Sequence, residues 1–152
     1  MTSSLAVPFD EAVSLAGRHF EGDWFTLDPA VLDEFDHATY TDQNTHQFAD
    51  VYPDGLVEGF HLLALLDHLS NPLIRLTGAS VGGWNYGFDR IRFVSPVRVT
   101  EAIRLVGTVA QVVPRPGGAY RLLLDCAIEI QGRDKPAMVA QWWVHWDITE
   151  ES

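Results

Sequence analysis

The sequence predicts an α+β fold in which an antiparallel sheet wraps around one apolar helix. Residues 57–69 carry apolar side chains on nearly every side, and a helix of that kind is normally enclosed by other structure. Between residues 82 and 146 almost everything has the alternation that is typical of strands. A helix followed by a run of strands indicates an α+β layout rather than alternating βαβ units.

Two shorter helices and a strand are expected before the central helix. The first helix is expected at residues 9–17, where a glycine follows an apolar pattern, and the strand at residues 23–27. Asp28 and Pro29 have the residue types that begin a helix, so a second helix should follow them. Its apolar face would consist of Val31, Leu32, Phe35 and Ala38.

Four long strands are expected after the central helix. They are predicted at residues 84–93, 97–113, 119–131 and 138–146, separated by segments rich in proline and glycine. We find no internal repeat, no linker and no second domain, so residues 1–152 are predicted to form a single domain.

Composition limits the classes of function. The net charge is −11 and no basic run is present, which argues against binding nucleic acid or an anionic membrane. The apolar segment at residues 57–69 is too short to cross a bilayer, and no signal peptide is recognised at the start, so a cytoplasmic protein is expected. Cys126 is the only cysteine and is predicted to be a small buried apolar residue.

The polar segment between residues 40 and 55 is the best candidate for chemistry. It contains Asp42 and His46, and a carboxylate and an imidazole that share a water are suited to moving protons. The segment precedes a helix whose first amides can stabilise a developing oxyanion. Proton transfer next to a carbonyl is therefore one interpretation, and a solvated loop without function is the other. No ligand spacing indicates a metal site, and no Gly-x-Ser-x-Gly elbow indicates a serine nucleophile.

Several stretches resemble the MaoC-like dehydratases, a family that includes the (R)-specific enoyl-CoA hydratases and the NodN-type proteins. Residues 38–46 resemble its Ala-Thr-Gly-Asp-x-x-x-x-His segment, and residues 57–60 look like its His-Gly-Phe entry into the central helix. Residues 85–97 are similar to its most distinctive strand, and residues 135–141 to the start of its last strand. The resemblance covers nearly the whole chain and implies the hotdog fold, a sheet wrapped on a helix.

The resemblance also implies an activity, the reversible addition of water to a 2-enoyl thioester. His46 matches the histidine that donates a proton at Cα, and the backbone N–H of Gly59 would hold the thioester oxygen. Thr41 stands where the family has its water-activating aspartate, and Asp42 follows one residue later. We expect Asp42 to serve as the base, with Glu58, which replaces the histidine of the His-Gly pair, as the alternative.

The remaining expectations concern binding. The residues expected to contact the substrate are Thr41, Asn44, Phe60, Asn85, Tyr86 and Gly87. The substrate would be an acyl-CoA or another acyl thioester, with no cofactor and no metal. A homodimer or higher oligomer formed through the sheet is expected, as is common for hotdog proteins.

Two alternatives to the hydratase remain open at this point. Because Thr41 occupies the aspartate position, the chain could be an altered hotdog protein that binds acyl thioesters or completes a site in another chain. It could also be a hotdog thioesterase that uses Asp42 or Glu58 to direct water at the carbonyl.

Overall fold

A computed structural model of the protein describes residues 2–43 and 52–149. Its main feature is a five-stranded antiparallel sheet. With the strands numbered along the chain, and with β1 (Leu5–Pro8) and β3 (Ile74–Thr77) outside this sheet, its members are β2 (His19–Glu21), β4 (Val81–Phe93), β5 (Ile103–Pro114), β6 (Tyr120–Ile130) and β7 (Met138–Ile148). Their order across the sheet is β2-β5-β6-β7-β4. The predicted α+β class is confirmed.

The three central strands form because their apolar residues alternate with the period of a strand. In β6, Leu122, Leu124 and Ile128 are buried toward the helices, whereas Asp125 between them is exposed. Cys126 is buried on the same side, as predicted, and burial together with the neighbouring Asp125 raises the pKa of its thiol to about 12.

The first part of the chain differs from the prediction. Residues 23–27 were expected to be a strand, but only Phe25 forms an isolated bridge, with Ile103, and the strand of this region is β2. Residues 9–17 were expected to be a helix, and the structure has a 3-10 helix at Phe9–Leu15. A small parallel pair, β1 (Leu5–Pro8) with β3 (Ile74–Thr77), was not predicted because four-residue strands carry too little pattern.

The helix predicted at residues 57–69 is two short helices, α2 (Gly59–Ala64) and α3 (Leu66–Ser70), separated by Leu65. One face is buried, through His61, Leu62, Leu66 and Leu69. The expectation that the helix is enclosed on all sides is wrong for the single chain, since Phe60 is 73% exposed. An apolar face of α2 therefore remains open along strand β4.

The start of α2 is fixed by a short ladder to the segment that precedes β5. Val57 N–H donates to Val97 O at 2.9 Å, and Val99 N–H donates to Gly55 O at 2.8 Å. Residues 97–102 were expected to belong to the strand that continues to residue 113, but β5 begins only at Ile103. Residues 97–102 look like part of a strand because Val97 and Val99 are apolar, and both are buried beneath the start of α2.

Helix α1 (Ala30–Ala38) begins where the sequence predicts. The carboxylate of Asp28 accepts the N–H of Ala30 at 3.0 Å, which satisfies one of the first free amides of the helix. Within residues 2–43 and 52–149, no helix has the length and apolar character needed to cross a bilayer.

Candidate functional site

A cleft of about 670 Å³ lies between the end of α1 and the start of α2. Thr41 and Gly59 are on its walls, and so are five acids, which are Asp33, Asp36, Asp42, Asp54 and Glu58. Four of these acids are exposed, whereas Asp36 is half-buried. The cleft therefore brings together Thr41, Asp42, Glu58 and Gly59, all of which were candidates from the sequence.

The turn after α1 has a strained backbone. Tyr40 has a φ of 63°, in the left-handed region that is uncommon for residues other than glycine. Tyr40 stands where the MaoC-like segment has its glycine. This conformation folds the chain back onto the helix, so the 3-10 turn Thr41–Gln43 lies against the last turn of α1.

The reversal brings the hydroxyl of Thr41 to Asp36. Thr41 Oγ1 is a donor within 3.2 Å of Asp36 Oδ1 and also within 3.2 Å of the Asp36 carbonyl oxygen. At the position where the MaoC-like segment has its aspartate, this chain therefore has a hydroxyl that lies beside another carboxylate, that of Asp36.

Asp42 lies on the same turn and also borders the cleft. Its Oδ2 is 2.8 Å from Nδ1 of His37, and the two side chains are 38% and 80% exposed respectively. A pair of this exposure contributes little to stability because water competes for both partners. Asp42 therefore borders the cleft but is engaged by a surface imidazole.

Gly59 is the first residue of α2, so no earlier carbonyl of the helix can accept its N–H. The helix is established at once, with Leu62 N–H donating to Glu58 O at 3.0 Å. A Cβ at residue 59 would lie 3.0 Å from the ring of Phe93, a tight contact that would require the ring to shift. Glycine at this position lets Phe93 pack closely on the helix start at the cleft wall. Glu58 is the N-cap residue, with an exposed side chain on the cleft wall.

His61 is buried beside the cleft and was not among the candidates. It is 7% exposed and stacks on Phe35 of α1, with ring centroids 4.3 Å apart and 4° between the ring planes. Burial lowers the pKa of its imidazole, and the negative charge of Asp36 opposes part of that shift. Its sequence signal was an interruption of the apolar stretch that begins at Val57.

Asn44 and His46 lie outside the described residues. The pairing of His46 with a carboxylate therefore stays a prediction, as does the contact of Asn44 with substrate.

The candidates on β4 are not in the cleft. Asn85 lines a second cavity, of about 470 Å³, next to α3, where its Nδ2 donates to Asp67 Oδ2 at 3.1 Å. Tyr86 lies under the guanidinium of Arg121, 3.7 Å from the ring centroid. Gly87 pairs with Trp143 of β7.

Phe60 and Asn85 share a third, smaller cavity of about 260 Å³ along the open face of α2, where Trp142 forms part of the wall. The roles of these residues toward a substrate remain predictions. Among the residues that the structure describes, no three His, Cys, Asp or Glu side chains are grouped closely enough to hold a metal ion.

Comparison with known proteins places this geometry in context. No protein-family model matches the chain. Nodulation protein N of Rhizobium meliloti (strain 1021) is 29% identical over 147 residues, which are 90% of this chain and 89% of that protein. The 3-hydroxyacyl-thioester dehydratase Z of Mycobacterium tuberculosis (strain ATCC 25618 / H37Rv) is 28% identical over 141 residues, covering 87% of this chain and 90% of that protein.

Solved structures agree on the fold. A MaoC-like dehydratase from Rhodospirillum rubrum superposes with a TM-score of 0.62 and 16% identity, covering 90% of this chain and 94% of that one. An R-hydratase from Pseudomonas aeruginosa superposes with a TM-score of 0.59 and 17% identity, covering 96% and 92%. The chain has the hotdog fold, and the predicted resemblance to the MaoC-like dehydratases is confirmed.

Proposed function

We propose that the protein is an acyl-thioester hydro-lyase that adds water to, or removes it from, a 2-enoyl thioester, with coenzyme A as the expected carrier. The observation that supports the proposal is the cleft whose walls contain five acids, Thr41 and Gly59, the first residue of α2. The relatives named as a dehydratase and an R-hydratase support the same reaction class.

The proposed hydration uses three groups. A carboxylate takes a proton from water as the water oxygen forms its bond to Cβ. The electron pair of the double bond moves to Cα, which takes a proton from the imidazolium of His46. The N–H of Gly59 holds the thioester oxygen while negative charge develops on it. Asp42 is the carboxylate expected from the sequence, and Glu58 is the alternative.

The open edge of the sheet supports a homodimer. Within residues 2–43 and 52–149, strand β4 pairs only with β7, and its Trp84 and Tyr86 are 66% and 57% exposed. An exposed edge strand of 13 residues is usually paired or covered, because it otherwise promotes uncontrolled association. We propose that two copies pair through β4, which would also cover the open face of α2.

The experiment is an assay of the purified protein with a series of 2-enoyl-CoA substrates, measuring the 3-hydroxyacyl product and free thiol in the same reaction. Hydration without thiol release is expected. His46→Gln should lower kcat by about 10²–10⁴-fold, the usual contribution of a general acid or base, whereas His19→Gln, an exposed histidine of β2, should not.

Two other outcomes would contradict the proposal. Release of free thiol would indicate a thioesterase. Binding of acyl-CoA without turnover of any enoyl-CoA would indicate a partner subunit that holds the thioester.

A further inference from the structure

The five acids of the cleft are not equivalent. Asp36 is the one that is half-buried, and Thr41 Oγ1 lies within hydrogen-bond distance of its carboxylate. A hydroxyl that donates to an ionised carboxylate stabilises the charge and fixes the direction of the remaining lone pairs. Asp36 is therefore a half-buried carboxylate of this cleft whose orientation is constrained by a hydrogen bond within the protein.

Asp42 has a different environment. Its Oδ2 is engaged by His37, whose side chain is 80% exposed. A water that reached Asp42 would have to compete with this imidazole or use the other carboxylate oxygen. A general base needs an oxygen that is open to the attacking water, and His37 already engages Oδ2 of Asp42.

The last turn of α1 is held against α2 by an aromatic stack. Phe35, which directly precedes Asp36, lies parallel to His61, two residues after Gly59. This contact joins the helix that carries the carboxylate to the helix that presents the amide. His61 is consequently a positioning residue, because it sets the separation of Asp36 and Gly59 without being required to touch substrate.

We infer that Asp36, oriented by Thr41 and placed by the Phe35–His61 stack, is the water-activating carboxylate of this chain. This inference rests on the proposed function and replaces the sequence-based choice of Asp42. Thr41 keeps a role at the position where the related family has its aspartate, and the acid itself comes from the preceding helix.

The proton balance closes without a co-reactant. Asp36 takes a proton from water as the hydroxyl oxygen bonds to Cβ, and Cα takes a proton from the general acid. Asp36 then releases its proton to solvent water in the open cleft, and the general acid is reprotonated from water, which restores both groups. Dehydration follows the same path in reverse.

The test compares kcat, KM and acyl-CoA binding for Asp36→Asn, Asp42→Asn and Glu34→Gln. Asp36→Asn keeps an oxygen that can accept from Thr41, so thermal unfolding should change little. Its kcat is expected to fall by about 10²–10⁴-fold while binding of a saturated acyl-CoA persists. Glu34, exposed on the same helix and absent from the cleft wall, provides the matched control.

Thr41→Val and Thr41→Ser give a second readout. Valine removes the hydroxyl but keeps the shape, so kcat should fall while KM changes little, because Asp36 has lost the donor that orients it. Serine should restore most of the wild-type kcat. A role for Thr41 in structure alone would lower stability in Thr41→Val without this loss of kcat.

Three results would overturn the inference. Asp36→Asn that retains most of the wild-type kcat would exclude Asp36 as the base. A large loss confined to Asp42→Asn would return the role to Asp42. Both leave the hydro-lyase proposal intact, whereas absence of turnover by the wild-type protein would remove that proposal and this inference together.

Discussion

The imidazole of His61 lies parallel to the ring of Phe35, with centroids 4.3 Å apart and only 4° between the planes. The stack is a contact between α1 and α2 beside the cleft. Because His61 is 7% exposed, its imidazole is buried in a place where a positive charge is poorly solvated. Stability and site geometry therefore depend on the same residue.

This burial predicts a dependence of stability on pH. The pKa of His61 is lowered from 6.5 by burial, with opposition from Asp36. The unfolded state therefore binds the proton more readily, so the contribution is fully present above about pH 6.5 and is lost as the pH falls from there toward the lower pKa of the folded state. The free energy of unfolding should decline between pH 7 and pH 5 in urea titrations.

His61→Phe is the matched variant, since phenylalanine can keep the stack and cannot titrate. The decline with pH should be smaller than in the wild-type protein, and the difference between the two isolates His61 from the other histidines. Equal declines in both proteins would show that His61 is not responsible.

At Gly107 in β5, the surrounding atoms leave no room for a side chain. A Cβ at this position would lie 2.6 Å from the carbonyl oxygen of Asp125, 2.8 Å from the ring of Phe20 and 2.9 Å from Cα of Cys126. Backbone atoms cannot move away cheaply, so Gly107→Ala should lower the free energy of unfolding by at least about 2 kcal/mol, as overpacked cores do. Urea denaturation measures this.

Gly87→Ala is the control, because nothing lies within 4 Å of a Cβ at that position. Its unfolding free energy should stay within about 0.5 kcal/mol of wild type. Similar losses at the two positions would contradict the packing explanation.

Replacing Tyr40 by glycine is expected to stabilise the protein. A φ of 63° destabilises the folded state by about 1–2 kcal/mol for a non-glycine residue, and glycine avoids this strain. Glycine also loses about 0.5–1 kcal/mol more in backbone entropy on folding, which offsets part of the gain. The side chain is 69% exposed, so little packing is lost. Tyr40→Gly should raise the free energy of unfolding by about 0.5–1 kcal/mol, and Tyr40→Val should lower it. Calorimetric unfolding that reverses this order would show that strain at Tyr40 is not significant.

We expect the protein to dimerise through the exposed edge strand β4, and a charge placed on this strand should dissociate the dimer. Sedimentation equilibrium of the wild-type protein should give twice the chain mass of 17.0 kDa. Trp84→Glu, which places a charge on the exposed edge strand, should shift the equilibrium to monomer. Val13→Glu, an exposed apolar residue of the 3-10 helix Phe9–Leu15, should not. A wild-type monomer would contradict pairing through β4.

The fold could be predicted from the sequence because its strands have a regular pattern. The alternating apolar residues of β6, among them Leu122, Leu124 and Ile128, form one buried face in the structure. The parallel pair β1 and β3 could not be predicted, since about 70 residues separate its short strands and no local pattern links them. The division of the central helix at Leu65 also lacks a glycine or proline signal.

The site could be predicted only in part. The cleft contains Thr41, Asp42, Glu58 and Gly59, and the resemblance to the MaoC-like family implied that these residues belong to one site. Asp36 was missed because its contact with Thr41 depends on the left-handed turn at Tyr40, and tyrosine is not the residue type that signals such a turn.

The most direct measurement is an NMR titration of the isotopically labelled protein with a saturated acyl-CoA, which binds without reacting. The amide proton of Gly59 should move downfield as the thioester oxygen accepts it, together with shifts at Thr41 and Glu58. An unchanged Gly59 amide, with shifts confined to the cavity of Asp67 and Asn85, would contradict the proposed site.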